Sequence, residues 1–306
     1  MSSSKSYAFI IDPFENLNPK KDTSLAMMRA ALDMGARVYV CEMGDLHIRA
    51  GIVQGDFREV RTGLEIGDSV ALDLKDLSGA FMRKDPPIDA AYYACTQILS
   101  VAQGQGATIY NDPQSLRDES EKLFALYFPD LIPETIVTAK LSVLREFGDK
   151  HGQIIVKPLN AMGGAGIFLI DKSDLNFDVI WETLTEHGAH PIMAQHFIPA
   201  IRQGDKRVLI MNGHVCGHML VRTPKDDSVR GNMAAGATTH IAEITDLERG
   251  IAEKVVPVLN EKGIVFAGID IIGDKLIEIN HTSPTGIVEI SKHVGHNIAE
   301  DLFKSL

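Results

Sequence analysis

The sequence predicts an α/β protein with two architectures in series: a parallel sheet wound by helices, then a strand-rich α+β part. Short apolar runs alternate with helical patterns through the first third of the chain. A polar break at residues 111–113, ending in Pro113, interrupts this alternation. The last third contains four strand-like runs and two helical patterns. Strand–helix alternation is typical of a parallel sheet, whereas runs of strands favour α+β packing.

The predicted elements of the first third are four buried strands with helices between them. Apolar runs predict strands at residues 7–11, 37–41, 79–82 and 107–110. Apolar residues at helical spacing predict helices at 23–35 and 90–103. No G-x-G-x-x-G pattern follows the first strand, so a dinucleotide site is not indicated.

The rest of the chain is predicted to mix helices with hairpin-forming strands. Helices are expected at residues 115–128, 177–187, 246–262 and 294–306. Strands are expected at 153–158, 167–170, 192–195, 207–211, 215–222, 265–272 and 275–280. A glycine-rich segment separates the first two of these strands, which predicts a hairpin with a flexible loop. Residues 223–239 have no apolar periodicity and are expected to form a lid or a disordered stretch.

Composition and charge restrict the class of protein. The 306 residues suffice for one large domain or two to three small ones. The net charge of -11 argues against nucleic acids and anionic membranes as partners, because both are negatively charged. Three cysteines without regular spacing indicate neither a zinc site nor a disulfide framework. Because no apolar run is long enough for a signal peptide or a membrane span, the sequence predicts a cytoplasmic protein.

Three oxygen-bearing side chains near the end of the chain are the candidate metal ligands: Asp270, Glu278 and Asn280. Mg²⁺ prefers such donors, usually one or two carboxylates together with substrate phosphates. Glu278 and Asn280 are two residues apart in a predicted strand, so their side chains point to the same face. A two-residue turn would put Asp270 opposite Ile277, whereas a three-residue turn or a β-bulge would put it opposite Glu278. A three-ligand site therefore requires an odd-length turn or a bulge.

The alternative interpretation of these residues is an exposed polar face on an edge hairpin. The apolar neighbours of Asp270 and Glu278 argue against it, since they indicate strands that are buried on at least one side. A carboxylate within an apolar sheet needs a compensating cation. The sequence therefore favours a metal site over a solvated edge.

Glycines and lysines form the candidate phosphate site. Gly163, Gly164 and Gly166 lie in the predicted hairpin loop, where closely spaced glycines let backbone N–H groups approach phosphate oxygens. A plain hairpin turn would use glycine as well. Lys157 ends an apolar strand, so its ammonium group either reaches solvent or pairs with an anion. Lys122 lies in a predicted helix, where a solvated helix face is the simpler interpretation.

Four arginines complete the candidate site, although each alone is more simply a surface residue. Arg83 follows the predicted strand 79–82, at the end of a parallel sheet where ligands bind. Arg207 and Arg222 lie at the ends of predicted strands, and Arg230 lies in the expected lid. Arginine binds carboxylates and phosphates bidentately. Since no nucleophile–base pair is evident, we expect catalysis by charge neutralisation and positioning.

The order of these motifs resembles the ATP-grasp superfamily, and essentially the whole chain resembles the bacterial glutathione synthetase family. The superfamily motifs are, in order, Lys122, residues 157–166, 194–198 and 205–207, Asp270 and residues 278–280. Further segments that match the glutathione synthetases are residues 12–13, 20–22, 42–46, 82–87, 113–118, 182–188, 230–236 and 280–285. Matches this numerous and in this order are highly specific.

The resemblance implies a Rossmann-like N-terminal domain followed by a two-part ATP-grasp domain. The implied ranges are 1–121 for the N-terminal substrate-binding domain, 122–197 for a central lid subdomain and 198–306 for a C-terminal subdomain with the metal site. The implied reaction joins γ-glutamylcysteine to glycine through an acyl phosphate, giving glutathione, ADP and phosphate from ATP. The resemblance also implies Mg²⁺, with Mn²⁺ as a substitute, and a homotetramer without nucleic-acid or membrane partners.

The resemblance further implies a role for each matching residue. ATP would contact Lys122, Lys157, Gly163, Gly164, Gly166, Gln195, Phe197, Ile198 and Asp205. The metal would be bound by Asp270, Glu278 and Asn280. Arg207 would be the catalytic residue, facing the acyl phosphate and the tetrahedral intermediate. The substrates would contact Arg83, Arg222, Arg230, Asn280 and Ser283.

The chain departs from the family pattern at two positions. The glycine loop has Asn160 and Ala161 where the family usually has an acid and a glycine, and the expected lid ends in Gly236-Ala237 instead of a glycine pair. Neither change removes a charged catalytic group, so the effect would be on loop mobility and hence on rate, and not on the reaction. Two alternatives stay open: another ATP-grasp ligase, such as one that joins D-alanines or adds glutamate to a peptide end, and a non-catalytic nucleotide-binding module.

Overall fold

The computed structural model describes residues 5–225 and 236–306, in which three β-sheets have helices packed against them. The sheets follow one another along the chain, with seven strands in residues 6–110, four in 135–196 and five in 205–280. The α/β architecture expected from the sequence is confirmed. Within these two described stretches, no helix has the length and apolar character needed to cross a membrane.

The first sheet contains the predicted parallel core and an antiparallel extension that was not predicted. Its elements are β1 (Ser6–Ile10), α1 (Thr23–Asp33), β2 (Arg37–Cys41), β3 (Leu46–Arg49), β4 (Ile52–Arg61), β5 (Glu65–Asp73), β6 (Gly79–Met82), α2 (Ala90–Gly104) and β7 (Ile109–Tyr110). Strands β2, β1, β6 and β7 are parallel neighbours in that order. Strands β3, β4 and β5 extend the β2 edge by antiparallel pairing. Because β5 is largely exposed and rich in polar and small residues, it lacks the apolar alternation that predicts a strand.

The second sheet carries the predicted glycine-loop hairpin. The elements of this part are α3 (Pro113–Asp118), β8 (Thr135–Thr138), α4 (Leu141–His151), β9 (Gln153–Pro158), β10 (Phe168–Asp171), α5 (Phe177–Thr185) and β11 (Ile192–His196). The strand order is β10-β9-β11-β8, and every pairing is antiparallel. The hairpin of β9 and β10 is therefore confirmed, while β8 and α4 were not predicted.

The predicted helix at residues 115–128 is wrong. Helix α3 ends at Asp118, and only a 3₁₀ turn, Phe124–Tyr127, follows. The intervening backbone pairs elsewhere: the Glu121 carbonyl accepts a hydrogen bond from the Ile279 amide at 3.0 Å. A tertiary hydrogen bond has replaced a helical one, so Lys122 lies in a buried turn and not on a solvated helix face.

The third sheet is antiparallel and is followed by two short helices. Its elements are β12 (Asp205–Met211), β13 (His214–Thr223), β14 (Thr238–Glu243), α6 (Asp246–Glu261), β15 (Phe266–Ile272), β16 (Lys275–Asn280), α7 (Ile287–Val294) and α8 (Ala299–Ser305). The strand order is β14-β13-β12-β15-β16. The expected loop at 223–239 is partly wrong because β14 begins within it, and residues 226–235 lie outside the described residues. The helix expected at 294–306 is formed only over Ala299–Ser305 (α8), whereas α7 was not predicted and ends at Val294, before Gly295 with its φ of 84°.

The two C-terminal helices pack into the core of the first sheet. The centroid of the Phe303 ring in α8 lies 5.0 Å from the ring centroid of Tyr7 and 5.6 Å from that of Phe81. Ile287 and Ile290 of α7 are fully buried in the same core. The end of the chain therefore fastens the third sheet to the first. The domain boundaries expected at residues 121 and 197 stay predictions.

Asn111 joins the first sheet to the third through four hydrogen bonds. Its Nδ2 donates to the carbonyl oxygens of Phe266 and His281, at 2.8 and 2.7 Å. Its Oδ1 accepts from the amides of Val265 and Phe266, at 2.8 and 2.9 Å. The side chain is buried, and all the donor and acceptor positions of its amide are used. Asn111 thus holds the start of β15 and the end of β16 beside β7.

We expect Asn111→Ala to lower the free energy of unfolding by about 4 kcal/mol or more, because four buried backbone groups lose their partners at about 1–3 kcal/mol each. Urea-induced unfolding followed by circular dichroism measures this loss. Gln97→Ala, on the exposed face of α2, is the control and should change the value by less than about 0.5 kcal/mol. An equally small effect of Asn111→Ala would contradict the linking role.

Candidate active site

A cavity of about 620 Å³ lies where the three sheets meet. Loops that follow β1 and β6 line one side, and the glycine loop between β9 and β10 lines another. The segment after β11 and the cavity-facing side chains of β12, β15 and β16 complete the wall. Most of the predicted site residues therefore come together from all three parts of the chain.

The floor of the cavity holds a buried network of two carboxylates and two arginines. Arg207 donates to both oxygens of Asp270, from Nε to Oδ1 at 2.5 Å and from Nη2 to Oδ2 at 2.9 Å. Arg222 Nη2 lies 2.8 Å from Asp270 Oδ1 and 2.6 Å from Asp205 Oδ2. A Cβ atom at Gly268 would lie 2.6 Å from Arg207 Cδ, so glycine is what lets this arginine lie flat on the sheet.

The two carboxyl groups of this network respond differently to burial. Burial raises the pKa of Asp270, but the charges and hydrogen bonds of Arg207 and Arg222 outweigh it and hold that pKa well below its usual range. The pKa of Asp205 is raised to about 7, mainly by burial. The negative charge of Asp270 also raises this pKa, and the positive charge of Arg222 only partly offsets the two effects. Asp205 Oδ1 is also buried without a hydrogen-bond partner. The floor is therefore short of positive charge beside Asp205.

A β-bulge brings Asp270 and Glu278 opposite each other. Ile272 pairs with Lys275, so the turn has two residues, and the predicted three-residue turn is not formed. The register shifts between Asp270 and Ile271, which leaves Ile277 as an extra residue and places Glu278 opposite Asp270. The alternative of a bulge is confirmed. Asn280 lies on the same face, with Nδ2 3.1 Å from Asp270 Oδ2.

Two lysines lie above this floor. Lys122 Nζ is 3.3 Å from Glu278 Oε1 and donates to the Ala161 carbonyl oxygen at 2.5 Å. Its contact with Ala161 joins the glycine loop to the third sheet. Lys157 is buried and lines the cavity, and its ammonium group has no ion pair within the described residues. Burial lowers the pKa of Lys157. An anion bound in the cavity would offset this cost.

The glycine loop and the segment after β11 form the opposite end of the cavity. Gly163, Gly164 and Gly166 have φ values of 63°, 82° and 69°, which favour glycine over other residues. Gly163 and Gly164 line the cavity. Phe197 and Ile198 line it as well. Gln195 is buried, and its Nε2 donates to Thr135 Oγ1 at 3.2 Å. The side chains of Phe197 and Ile198 therefore form an apolar slot beside this polar pair.

The predicted substrate residues are only partly brought to the cavity. Ser283 lines it, as does Arg222, whose charge is already balanced by two carboxylates. Arg83 is buried behind the wall, where Nε donates to Ser24 Oγ at 3.1 Å and Nη2 to the Pro284 carbonyl at 3.0 Å. Arg230 lies outside the described residues.

Two family models match the chain. The model described as prokaryotic glutathione synthetase, N-terminal domain, matches residues 6–117. The model described as prokaryotic glutathione synthetase, ATP-grasp domain, matches residues 121–295. The chain belongs to the prokaryotic glutathione synthetase family.

Curated relatives agree with this family, and solved structures share the fold. The chain is 45% identical to glutathione synthetase of Vibrio parahaemolyticus over 287 residues, covering 92% of this chain and 91% of the relative. It is 46% identical to glutathione synthetase of Escherichia coli strain K12 over 288 residues, with coverages of 92% and 91%. The ATP-grasp ligase PsnB, in complex with a minimal precursor, has a TM-score of 0.66 at 18% identity and 99% coverage of both chains. D-cycloserine synthetase DcsG has a TM-score of 0.69 at 12% identity and 98% coverage of both chains. These two structures show the fold.

Glu121 is a cavity residue that the sequence did not reveal. Its Oε1 accepts three hydrogen bonds: from the His281 and Thr282 amides at 3.0 Å each, and from Thr282 Oγ1 at 2.7 Å. It thereby fixes the loop that follows β16. Burial by itself raises the pKa of Glu121, but the His281 side chain and the Thr282 amide and hydroxyl groups lower it to about 2. A lone glutamate in an expected helix gave no signal of this role.

We expect the stabilisation by Glu121 to depend on pH. Its folded pKa of about 2 lies below that of an unfolded glutamate, about 4.3, so its contribution is complete above pH 5 and is lost as the pH falls towards 2. Glu121→Gln should therefore lower the free energy of unfolding by on the order of 2 kcal/mol at pH 7, and by progressively less between pH 5 and pH 3. Urea-induced unfolding at each pH measures the difference from the unmodified protein.

Glu253→Gln, at an exposed position of α6, is the matched control and should leave the stability unchanged to within about 0.5 kcal/mol at every pH. A constant difference between Glu121→Gln and the unmodified protein from pH 7 to pH 3 would show that the charge on Glu121 is not what stabilises the loop.

Proposed function

We propose that this protein is a glutathione synthetase, which joins the cysteinyl carboxylate of γ-glutamylcysteine to the amine of glycine and converts ATP to ADP and phosphate. The observation that carries this proposal is the match of both family domains over residues 6–117 and 121–295. The charged cavity at the junction of the sheets supports it, since this reaction needs a site for phosphates beside a site for two further substrates. Another ATP-grasp ligase is the less favoured alternative.

ATP would lie along the cavity from the segment after β11 to the lysines. The apolar slot at Phe197 and Ile198 suits adenine, and Asp205, at the start of β12, would accept hydrogen bonds from the ribose. Lys122 and Lys157 would neutralise phosphate charge. The N–H groups of the glycine loop would donate to phosphate oxygens, because Gly163 and Gly164 line the cavity and have no side chain to keep a phosphate away from the backbone.

A Mg²⁺ site at Asp270, Glu278 and Asn280 fits the residues present. Their oxygen-bearing side chains share one face, and the unpartnered Asp205 Oδ1 beside them indicates unbalanced negative charge. The described residues contain no cluster of three histidine, cysteine or carboxylate ligands, so phosphate oxygens would have to complete the coordination. Because Asp270 is already paired with two arginines, Glu278 and Asn280 are the more available donors. When bound, Mg²⁺ or Mn²⁺ would withdraw charge from the phosphates.

Catalysis would proceed by positioning and charge stabilisation. The dipeptide carboxylate oxygen attacks the γ-phosphorus of ATP, the bond to the ADP oxygen breaks, and an acyl phosphate forms. The glycine nitrogen then attacks the acyl carbon, and phosphate leaves with the electrons of the carbon–oxygen bond. Arg207, held flat by Asp270, would face the negative charge that develops in both steps. Its fixed orientation means that no reorganisation is required as that charge appears.

The remaining substrate contacts, the assembly and the compartment are also part of the proposal. Ser283 and Asn280 line the cavity where the dipeptide would lie. Arg222 would act there by balancing the negative charge of Asp205 and Asp270. Arg83 would support the cavity wall through its hydrogen bond to the Pro284 carbonyl. Arg230 is proposed as a substrate contact from the family resemblance alone. A cytoplasmic homotetramer that binds neither nucleic acid nor membranes is consistent with three free cysteines and a net charge of -11.

We expect phosphate release from ATP to require γ-glutamylcysteine and glycine together. Release should be at least about tenfold slower with D-alanine alone or with neither acceptor, because the cavity would be complementary to the dipeptide and glycine. A coupled phosphate assay with Mg²⁺, together with mass spectrometry of the product, measures this. Rapid release with D-alanine alone, or none with any substrate, would contradict the proposed function.

We expect Glu278→Gln to raise the Mg²⁺ concentration needed for half-maximal activity by about tenfold or more, since it removes one charged donor. Calorimetric titration of Mg–ADP should show a matching loss of affinity, with an unchanged melting temperature without ligand. Asp274→Asn, in the exposed turn of the same hairpin, is the control and should leave the Mg²⁺ dependence unaltered. Unaltered Mg–ADP affinity in Glu278→Gln would refute the metal assignment.

A further inference from the structure

Glu121 turns one carboxylate oxygen to the β16 loop and leaves the other open to the cavity. Three donors saturate Oε1. Oε2 has no hydrogen-bond partner within the described residues and is not among their buried unpartnered atoms. The side chain is 16% exposed and lines the cavity. The exposed oxygen is thus presented on a carboxylate whose orientation is fixed from behind.

The position of Glu121 relates this open oxygen to the reacting groups. Glu121 directly precedes Lys122, whose Nζ lies 3.3 Å from Glu278 Oε1. Its loop partner Thr282 follows Asn280 by two residues and also lines the cavity. The carboxylate therefore lies against the loop that follows β16, on the same cavity wall as Lys122. A substrate amine that approaches an acyl phosphate there would pass beside it.

The other carboxylates of the cavity are less suited to hold a cation beside Lys122. Asp12 is ion-paired with Lys84 at 2.9 Å. Asp205, Asp270 and Glu278 belong to the ion pairs described above. Within the described residues, the lining carboxylates without a lysine or arginine partner are those of Glu121, Asp22 and Asp85. Asp22 caps α1 and Asp85 follows β6, so both belong to the loops of the first sheet.

We propose that Glu121 binds the ammonium group of the glycine acceptor at its open carboxylate oxygen and orients that nitrogen towards the acyl carbon. This inference rests on the proposed function and assigns a substrate-binding residue that the function does not require. An amino acid acceptor is a zwitterion, and its ammonium group is attracted by a fixed carboxylate in a partly dry cavity.

The role is one of binding and orientation. The low pKa of Glu121, about 2, keeps it ionised at neutral pH and makes it a poor acceptor for the ammonium proton. That proton therefore leaves to solvent before the nitrogen attacks. Holding the nitrogen in place lowers the entropy cost of a reaction between two separate molecules.

Steady-state kinetics of Glu121→Gln test the proposal. Glutamine keeps an acceptor oxygen for the three loop donors but turns a neutral amide to the cavity. We expect the KM for glycine to rise about 10- to 100-fold, as a charge-assisted contact is lost, with the KM values for ATP and γ-glutamylcysteine within about twofold. Glu121→Asp keeps the charge and should restore part of the glycine affinity.

Hydroxylamine separates binding of the ammonium group from formation of the acyl phosphate. It is uncharged at neutral pH and traps acyl phosphates as hydroxamates. Hydroxamate formation from γ-glutamylcysteine and ATP should therefore proceed at the same rate in Glu121→Gln as in the unmodified protein. A hydroxamate rate that falls as far as glutathione synthesis would overturn the proposal, because the defect would then precede glycine.

Two further variants test the alternative explanations that the loop after β16, or the carboxylate of Asp22, is responsible for the change in the KM for glycine. Thr282→Val removes one hydrogen bond to Oε1 but leaves Oε2 in the cavity, so the KM for glycine should change by less than about threefold. A rise as large as in Glu121→Gln would assign the effect to the loop. A selective rise in Asp22→Asn, with none in Glu121→Gln, would assign the ammonium group to Asp22.

The outcome for the unmodified protein separates this inference from the proposed function. If it makes no glutathione, the proposed function fails and the inference fails with it. If it makes glutathione and Glu121→Gln keeps the original KM for glycine, the inference alone is overturned.

Discussion

Asp270 is a buried carboxylate shared by two buried arginines, and the rest of the cavity is arranged around that contact. Removing one partner of such a network leaves an uncompensated buried charge, at a cost of about 3–5 kcal/mol. The network fixes Arg207 by two hydrogen bonds and Arg222 by its contacts with Asp270 and Asp205. Gly268 makes room for the Arg207 side chain, so the backbone beneath is part of the same constraint.

The bulge in the β15–β16 hairpin determines which side chains reach this network. A regular two-residue turn would have directed Glu278 away from Asp270, because neighbouring residues in a strand point to opposite faces. The extra residue, Ile277, restores the alignment without lengthening the turn. The same shift brings Glu278 to Lys122, which in turn contacts the glycine loop. One irregular residue thus connects β16, Lys122 and the glycine loop.

The cavity also depends on contacts that hold the three sheets together. Asn111 joins β7 to the start of β15 and the end of β16, and Phe303 packs α8 onto the first sheet. Glu121 adds a third link, from the turn before Lys122 to the loop after β16. Each link joins residues more than a hundred positions apart in the chain. The relative positions of the substrate-facing walls are therefore fixed by long-range packing and hydrogen bonds.

The sequence by itself determined the α/β class, the parallel strands of the first sheet, the glycine-loop hairpin and the family. These are encoded locally, by apolar runs, glycine spacing and short motifs in order. It also determined that Asp270 and Glu278 could lie opposite each other only with a turn of odd length or a bulge. Successive side chains of a strand point to opposite faces, and this alternation can be counted from the sequence.

Only the tertiary structure decided that the β15–β16 hairpin contains a bulge and not an odd-length turn. It also decided that α3 ends at Asp118 and that Glu121 fixes the loop after β16. It also gave Arg83 and Arg222 partners that a strand pattern cannot predict. The physical reason is that burial and hydrogen bonds between distant segments outweigh local propensity. Helix α3 ends at Asp118, and the Glu121 carbonyl that follows pairs with the distant Ile279 amide instead of continuing a helix.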